Sequence, residues 1–465
     1  MHLPMPFRSR AFLSGLPALA LPACAPAPAD TAIPAPVPAL LDAVGRVALH
    51  RGMNVSGDAK YTADHLPALS DTSIQTMLDA GITFARVLTF WDAVEPEEGA
   101  YDEAYLAGLD ALLGRLDAAG LTVMLDMHQD VWGVGFGGDG APRWTCDEAL
   151  YESFEPPSGS WYLAYLSDEV QACFDSFWAD PGLQEQFAAA WARLAEIGRR
   201  HPSVAGYDLL NEPFWGTSTQ EEFEEVLLPA FYERVAAGIR AVDDERCDFG
   251  PWRRPCRFLA LEPSTQANIL PSRLVFPDLD GLVFAPHFYP LYAEEGTGFD
   301  GDLTHEIEHL EEIIAHGQDQ GVPVLLGEFG IFSTHGTEEA YVRGLLDTFE
   351  SHAAGTAYWS WDPHDTYGVL TPEDEPGYLL PAWYRPYFSA LPAANLAIEP
   401  LADGMRARFT ATAGDRVVAM VPAACAATTT VEGAEVEARD GLRWTLAPQG
   451  SGTVEVTVQG CSEGP

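Results

Sequence analysis

The sequence predicts an α/β protein: a (β/α)8 TIM barrel followed by a small C-terminal β-sandwich. Three observations carry this. Short β-rich runs alternate with amphipathic helical stretches through about 340 residues. Runs such as residues 322–326 are continuously apolar, as expected of parallel strands buried on both faces. No Gly-rich phosphate turn follows the first strand, which disfavours the runner-up, an open doubly wound sheet. Eight such units close most economically into a barrel.

Strand one is placed at residues 47–55. A helix follows, opened by Ser70 or Asp71 as N-cap and closed near Gly81. Strand two is residues 82–89, and the next helix, 103–119, lines up Leu106, Leu109, Leu112, Leu113 and Leu116 before stopping at Gly120. Strand three is 121–128, and a long insertion rich in Gly and aromatics runs from 129 to about 181. Helix 183–200, strand four 204–211, helix 221–242 and strand five 258–262 come next. Strand six at 281–287, helix 303–316, strand seven at 322–328, helix 338–351 and strand eight at 355–361 complete the barrel. Beyond Leu391 the pattern changes to short strands at 406–410, 417–421, 435–438 and 453–458 between turns, read as a small sandwich.

The chain therefore divides into an export signal (1–24), an Ala/Pro-rich linker (25–42), a catalytic barrel (43–390) and the C-terminal domain (391–465). Arg8 and Arg10 flank an apolar run from 11 to 21 that is too short to span a membrane. Leu21-Pro22-Ala23-Cys24 resembles a bacterial lipobox, so lipidation of Cys24 as a membrane tether competes with plain cleavage. Both readings put the protein outside the cell, secreted or at the cell surface. The six later cysteines fall into local pairs, Cys146/Cys173, Cys247/Cys256 and Cys425/Cys461, which suggests three disulfides in an oxidising compartment. Spacing does not prove that connectivity, and reduced buried thiols are the alternative. No His/Cys cluster has metal-ligand spacing, and no cofactor is expected. The formal charge of −44 would repel nucleic acid, so no nucleic-acid partner is expected. A monomer is expected.

In a barrel enzyme the catalytic groups sit at the C-terminal ends of the strands. Those ends supply Lys60, Arg86, His128, Asn211-Glu212, Glu262, His287 with Tyr289, Glu328, and Trp361. Cleaving a glycosidic bond with retention needs one protonated carboxyl and one ionised carboxylate about 5–5.5 Å apart. Strands four and seven face each other across a barrel of this size, so Glu212 and Glu328 can meet that spacing. At such a distance each charge raises the other's pKa, and one stays protonated as the acid.

Leu-Leu-Asn-Glu-Pro at 209–213 and Leu-Gly-Glu-Phe-Gly at 326–330 resemble glycoside hydrolase family 5. The resemblance implies Glu212 as acid/base, Glu328 as nucleophile and Asn211 on the sugar 2-hydroxyl. Within that family the chain is most similar to the endoglycoceramidases, from about Arg51 to Pro386. Arg-Gly-Met-Asn at 51–54, Met-His-Gln-Asp-Val-Trp at 127–132, Gly-Asp-Gly-Ala-Pro-Arg-Trp at 138–144, His-Phe-Tyr-Pro at 287–290 and Tyr-Trp-Ser-Trp at 358–361 carry the likeness. It implies release of an intact glycan from ceramide in glycosphingolipids, with galactosylceramide-type substrates also handled in that group.

The supporting residues receive physical roles. Arg86 would hold the nucleophile ionised, against a structural salt bridge. His128 and Asp130 would grip sugar hydroxyls, Tyr289 would donate to the nucleophile, and Trp361 would offer the sugar a flat apolar face. His287 stands with them at the site, and Glu262 is a candidate partner behind it. Lys60 is the only lysine in the chain, which points to a compact ammonium needed near strand one. The aromatics of the long insertion would form an apolar groove for a ceramide tail, against a self-packed loop held by a Cys146–Cys173 bridge. Two other functions compete: a β-glycosidase acting on oligosaccharides without lipid, and a noncatalytic glycolipid-binding protein at the cell surface. The second has no need of the paired glutamates.

Overall fold

The computed structural model describes residues 38–55, 57–249, 252–332, 336–363 and 366–461. The expected signal and most of the linker lie outside them.

Eight parallel strands form the barrel: Arg51–Val55, Phe84–Phe90, Thr122–His128, Val204–Asp208, Phe258–Leu261, a split sixth strand (Leu282–Phe284 and His287–Phe288), Leu325–Phe329 and Gly355–Tyr358. The two halves of strand six end the sheet on opposite sides. A parallel bridge from Phe284 to Val324 joins the first half to the segment entering strand seven, and the second half pairs with strand seven itself, so the sheet closes. Strands two, seven and one are buried along their whole length, as a sheet covered on both faces requires.

The helices follow from their caps and faces. Asp102 accepts from the backbone N–H groups of Ala104 and Tyr105 to open Glu103–Ala119, and Gly120 ends that helix at φ 77°, a left-handed turn open to glycine. Asp180 caps Pro181–Gly198 in the same way, with Pro181 in the first turn. The helix expected at 221–242 is interrupted: Gln220–Glu222 leads into a π turn, Phe223–Leu227, and then Leu228–Arg240.

The placement of strand one needs correction, and two long connections take definite form. The stretch 47–55 is not one strand. Val47–Ala48 pairs antiparallel with Tyr387–Leu391 in the sandwich, and only Arg51–Val55 enters the barrel. Strand five is not followed by a helix. Residues 262–281 carry one 3-10 turn, Thr265–Asn268, and prolines 263, 271 and 277 break any longer helical run. The long insertion is largely self-packed. Trp132, Phe136, Tyr165, Phe174 and Phe177 are buried, with Trp132 against the rings of Phe174 and Phe177 at 5.0 and 5.2 Å. Of the aromatics expected to line a groove, Trp161 stays exposed, at 53%.

The C-terminal domain stacks a five-stranded and a four-stranded antiparallel sheet around its own core, which includes Phe388, Phe409, Trp444 and Val456. Disulfides join Cys146–Cys173 in the insertion, Cys247–Cys256 across a hairpin and Cys425–Cys461 in the sandwich.

Candidate active site

Strand register builds the site. His287 and Glu328 are Cα partners on strands six and seven. Asn54 and Arg86 are partners on strands one and two, and Asp126 and Asp208 on strands three and four. These side chains therefore converge inside the C-terminal half of the barrel. Glu212 follows strand four at φ 43°, a conformation rare for a residue with a side chain and of the kind that clusters at functional sites.

Arg86 is the hub. It is fully buried, and its five N–H groups go to Asp208, Asn54, Glu328, Asn211 and Glu262 at 2.6–2.9 Å. Asp126 adds a fourth carboxylate at 2.9 Å. A guanidinium has no further donors, so Arg86 has none left for a sugar and stands where the expected partner of the nucleophile must stand. It fixes Glu328 from behind. The Tyr289 hydroxyl donates to the other oxygen of Glu328 at 3.0 Å.

His287 bridges three carboxyls. Its Nδ1 lies 2.9 Å from Glu212 and 3.7 Å from Glu328, and its Nε2 lies 3.2 Å from Glu262. A carboxylate oxygen of Glu212, one of Glu328 and a His287 nitrogen all lie within 4.8 Å of one another. Glu262 also accepts the backbone N–H of Glu212 at 2.7 Å, which fixes the residue in its unusual backbone state.

The two glutamates are driven apart in acidity. Burial raises the Glu212 pKa, helped by the charges of Glu328 and Asp130. Burial would raise Glu328 as well, but His287 and Arg86, with His128 and Lys60, outweigh it and hold that carboxyl below its ordinary range. Burial disfavours a charged His287, yet Glu262, Glu328 and the bond to Glu212 push its pKa well above the usual value.

A second polar wall stands at strand three. His128 Nδ1 is 2.7 Å from Asp126, and its Nε2 is 3.7 Å from Asp130. Lys60 pairs with Asp130, and its ammonium sits 4.3 Å over the ring of Trp359. Trp359 also stacks on His128, with centroids 5.5 Å apart. Asp139, on the Gly-Asp-Gly loop, is tied to Asp130 by reciprocal backbone bonds of 3.0 and 3.1 Å. Burial, with Asp130 nearby, raises the Asp139 pKa to about 7. Asn211 donates to the Gln129 carbonyl at 3.0 Å and keeps its second amide N–H.

Trp361 is a correction. It is 1% exposed, and its indole N–H donates to Ser73 on helix Asp71–Asp79 at 2.8 Å, so it packs outside the barrel. Trp359 reaches the site instead. Strand eight ends at Tyr358, so period-2 reasoning fails just where the two tryptophans must be told apart. Lys60, His128, Asp130, Asn211, Glu212, His287, Tyr289 and Glu328 do gather at one mouth. Sequence reasoning missed Asn54, Asp126, Asp208 and Asp139. A polar residue inside an otherwise apolar strand was the available signal for the first three.

Three groups of side chains have the spacing to hold a metal: His128/Asp130/Asp139, Glu212/His287/Glu328 and Asp126/Asp208/Glu262. Each already meets a protein cation: Lys60 at Asp130, His287 between the glutamates, and Arg86 in the third.

A model of the cellulase family, glycosyl hydrolase family 5, matches residues 41–365. Endoglycoceramidase I of Rhodococcus hoagii is 30% identical over 344 residues, covering 69% of this chain and 66% of that enzyme. The chain thus spans just under two thirds of that curated relative. The structure of endo-glycoceramidase II from Rhodococcus sp. in complex with ganglioside GM3 is similar at a TM-score of 0.80 and 29% identity, covering 90% of this chain and 99% of that one. An endogalactoceramidase structure is similar at a TM-score of 0.74 and 26% identity, covering 90% of this chain and 98% of that one.

Proposed function

The chain belongs to glycoside hydrolase family 5, and from that premise we propose that it is a retaining endoglycoceramidase, releasing intact glycan from the ceramide of glycosphingolipids. The observation that carries the reading is the pair Glu212 and Glu328, within 4.8 Å through His287 and biased to opposite protonation states. The spacing suits a covalent glycosyl-enzyme and leaves little room for the water an inverting pair must hold. The similar structures named for endoglycoceramidase and endogalactoceramidase support the lipid-linked substrate.

In the proposed reaction the Glu328 carboxylate attacks the anomeric carbon. The bond to the ceramide oxygen breaks, and Glu212 gives its proton to that oxygen. Water then attacks the glycosyl ester, Glu212 takes a proton from it, and glycan leaves as Glu328 is regenerated. Arg86 and Tyr289 keep the nucleophile ionised and aimed. His287 accompanies Glu212 as it turns from acid to carboxylate. Lys60, His128, Asp130 and Asn211 are proposed to hold the sugar, with Trp359 beneath it. We also propose export, either by plain signal cleavage or with Cys24 as a lipid tether; the three disulfides support an oxidising compartment.

The test uses purified protein on lactosylceramide, galactosylceramide and a cello-oligosaccharide, with mass spectrometry for free ceramide and intact glycan and Glu328→Gln as blank. Ceramide released by the parent alone is the expected result. Cleavage of the cello-oligosaccharide alone would keep the glutamate pair and discard the lipid.

A further inference from the structure

We propose that Glu224, a buried carboxylate in the π turn, is a positioning residue for the leaving-group side of the site. The inference rests on Glu212 being the acid/base.

Glu224 is completely buried, and neither oxygen touches the groups described above. One oxygen accepts the backbone N–H and the hydroxyl of Ser264 at 2.8 and 2.6 Å. The other accepts the backbone N–H of Arg273 at 2.6 Å and the Gln220 amide at 3.1 Å. Its own carbonyl accepts from Val275 N–H at 3.2 Å. Glu224 is the acceptor in all five bonds, four of them at the carboxylate, and four of the five come from the segment 264–275.

That segment is the stretch where the barrel has no helix between strands five and six. Irregular chain has no ladder of its own to satisfy its backbone groups, so an outside acceptor must fix it. The π turn inserts one extra residue into the helix, the kind of local bulge that recurs at functional sites, and Glu224 lies within it.

The held segment reaches the acid/base. Thr265 N–H donates to the Pro213 carbonyl, next to Glu212, at 3.2 Å. The Asn268 side chain accepts the backbone N–H of Tyr289 at 3.1 Å. A small recess opens between Glu212, Glu262, Thr265, Ala267, Asn268 and His287. A leaving oxygen protonated by Glu212 must depart past this wall, so Glu224 acts through the loop on the aim of the acid.

The experiment compares Glu224→Gln with the parent on two lactosides. One carries an alkyl alcohol, which needs protonation to leave. The other carries dinitrophenol, which does not. A carboxamide turns one face of the residue into a donor opposed to donors, so the loop should shift while volume is kept. The expected result is a loss of about 10- to 100-fold in kcat/KM on the alkyl lactoside, with the dinitrophenyl lactoside within about 3-fold, since general acid catalysis acts on the first alone. Equal losses on both substrates, or none on either, would overturn the proposal. Should Glu224→Gln not melt cooperatively, Ser264→Ala decides instead, with the same selective loss expected at smaller size and an even loss overturning it. Glu212→Ala must show the same leaving-group signature. If it does not, the acid/base reading itself fails, and the Glu224 proposal falls with it. If lactosides are cleaved and ceramide is not released, only the lipid reading fails.

Discussion

Removing the Tyr289 hydroxyl should cripple the protein on the acid side of its pH profile and much less on the plateau. Glu328 receives one donor on each oxygen, Arg86 at 2.6 Å and Tyr289 at 3.0 Å. Tyr289→Phe deletes the second and changes no shape. A hydrogen bond to a charged group is worth about 1.5–3 kcal/mol. That stabilisation belongs to the ionised form of Glu328, the form proposed to attack. Its loss makes Glu328 easier to protonate, so the acid limb of kcat/KM moves to higher pH. Below the limb, 1.5 kcal/mol corresponds to a loss of about tenfold and 3 kcal/mol to about 150-fold. Above it the carboxylate is ionised in both proteins, and the difference should shrink to a few-fold. A soluble aryl lactoside followed across the pH range makes the comparison, with thermal melting to confirm the fold. A uniform loss at every pH would refute the reasoning, because it would mean that Tyr289 positions substrate and leaves the charge of Glu328 alone.

Three further outcomes are expected. Asp139→Asn should flatten the pH dependence of stability: burial lifts Asp139 to about 7, so the native state holds a proton the unfolded chain releases, and stability falls as pH rises from about 4 to about 7. Melting temperatures of parent and variant between pH 5 and 8 check this, and parallel curves would refute it. Lys60→Met should lower kcat/KM by about 10- to 100-fold, and Lys60→Arg should not rescue it, because a planar fork does not fit the point where Asp130 and the Trp359 face meet one ammonium; full activity in the arginine variant would count against a specific ammonium site. Trp361→Phe should lose stability, through the bond to Ser73, and keep its activity per folded molecule, whereas Trp359→Ala should lose activity. Equal kinetic damage from both would restore Trp361 to the site.

The charge arrangement explains how so many carboxyls coexist in one barrel. Asp126, Asp208, Glu262 and Glu328 surround Arg86, and His287 lies within 3.7 Å of Glu212, Glu262 and Glu328. Buried charges persist only when paired and hydrogen-bonded. Arg86 answers the carboxylates behind Glu328, and His287 answers the mouth. What separates Glu212 from Glu328 is access to the guanidinium: Glu328 receives a direct Nη1 bond, and Glu212 has only the imidazole. The asymmetry needed for acid and nucleophile is therefore set by which strand end faces Arg86.

That asymmetry also marks where sequence reasoning succeeds and stops. Glu212 and Glu328 were legible because each stands in a motif at or just past the C-terminal end of a parallel strand, and a barrel brings strand ends to one face. The five-donor role of Arg86 was not, because it depends on Asn54, Asp126 and Asp208 converging from strands whose rotation the sequence leaves open. Trp359 and Trp361 stand two residues apart and would share a face in a strand, yet the strand stops at Tyr358 and the chain turns between them. The self-packing of the insertion was undecidable from composition, since the same aromatics could line a groove or fill a core. The absent helix after strand five had a local cause in its three prolines, but its consequence did not. A bare loop beside the acid/base needs a buried acceptor, and Glu224 supplies it from a helix position that reads, in the run Glu-Glu-Phe-Glu-Glu, as one more solvated acid. Glu224 is four, seven and eleven residues before the buried Leu228, Phe231 and Val235, so helical spacing puts it on the apolar face, and its burial ties a surface-like sequence to the geometry around Glu212.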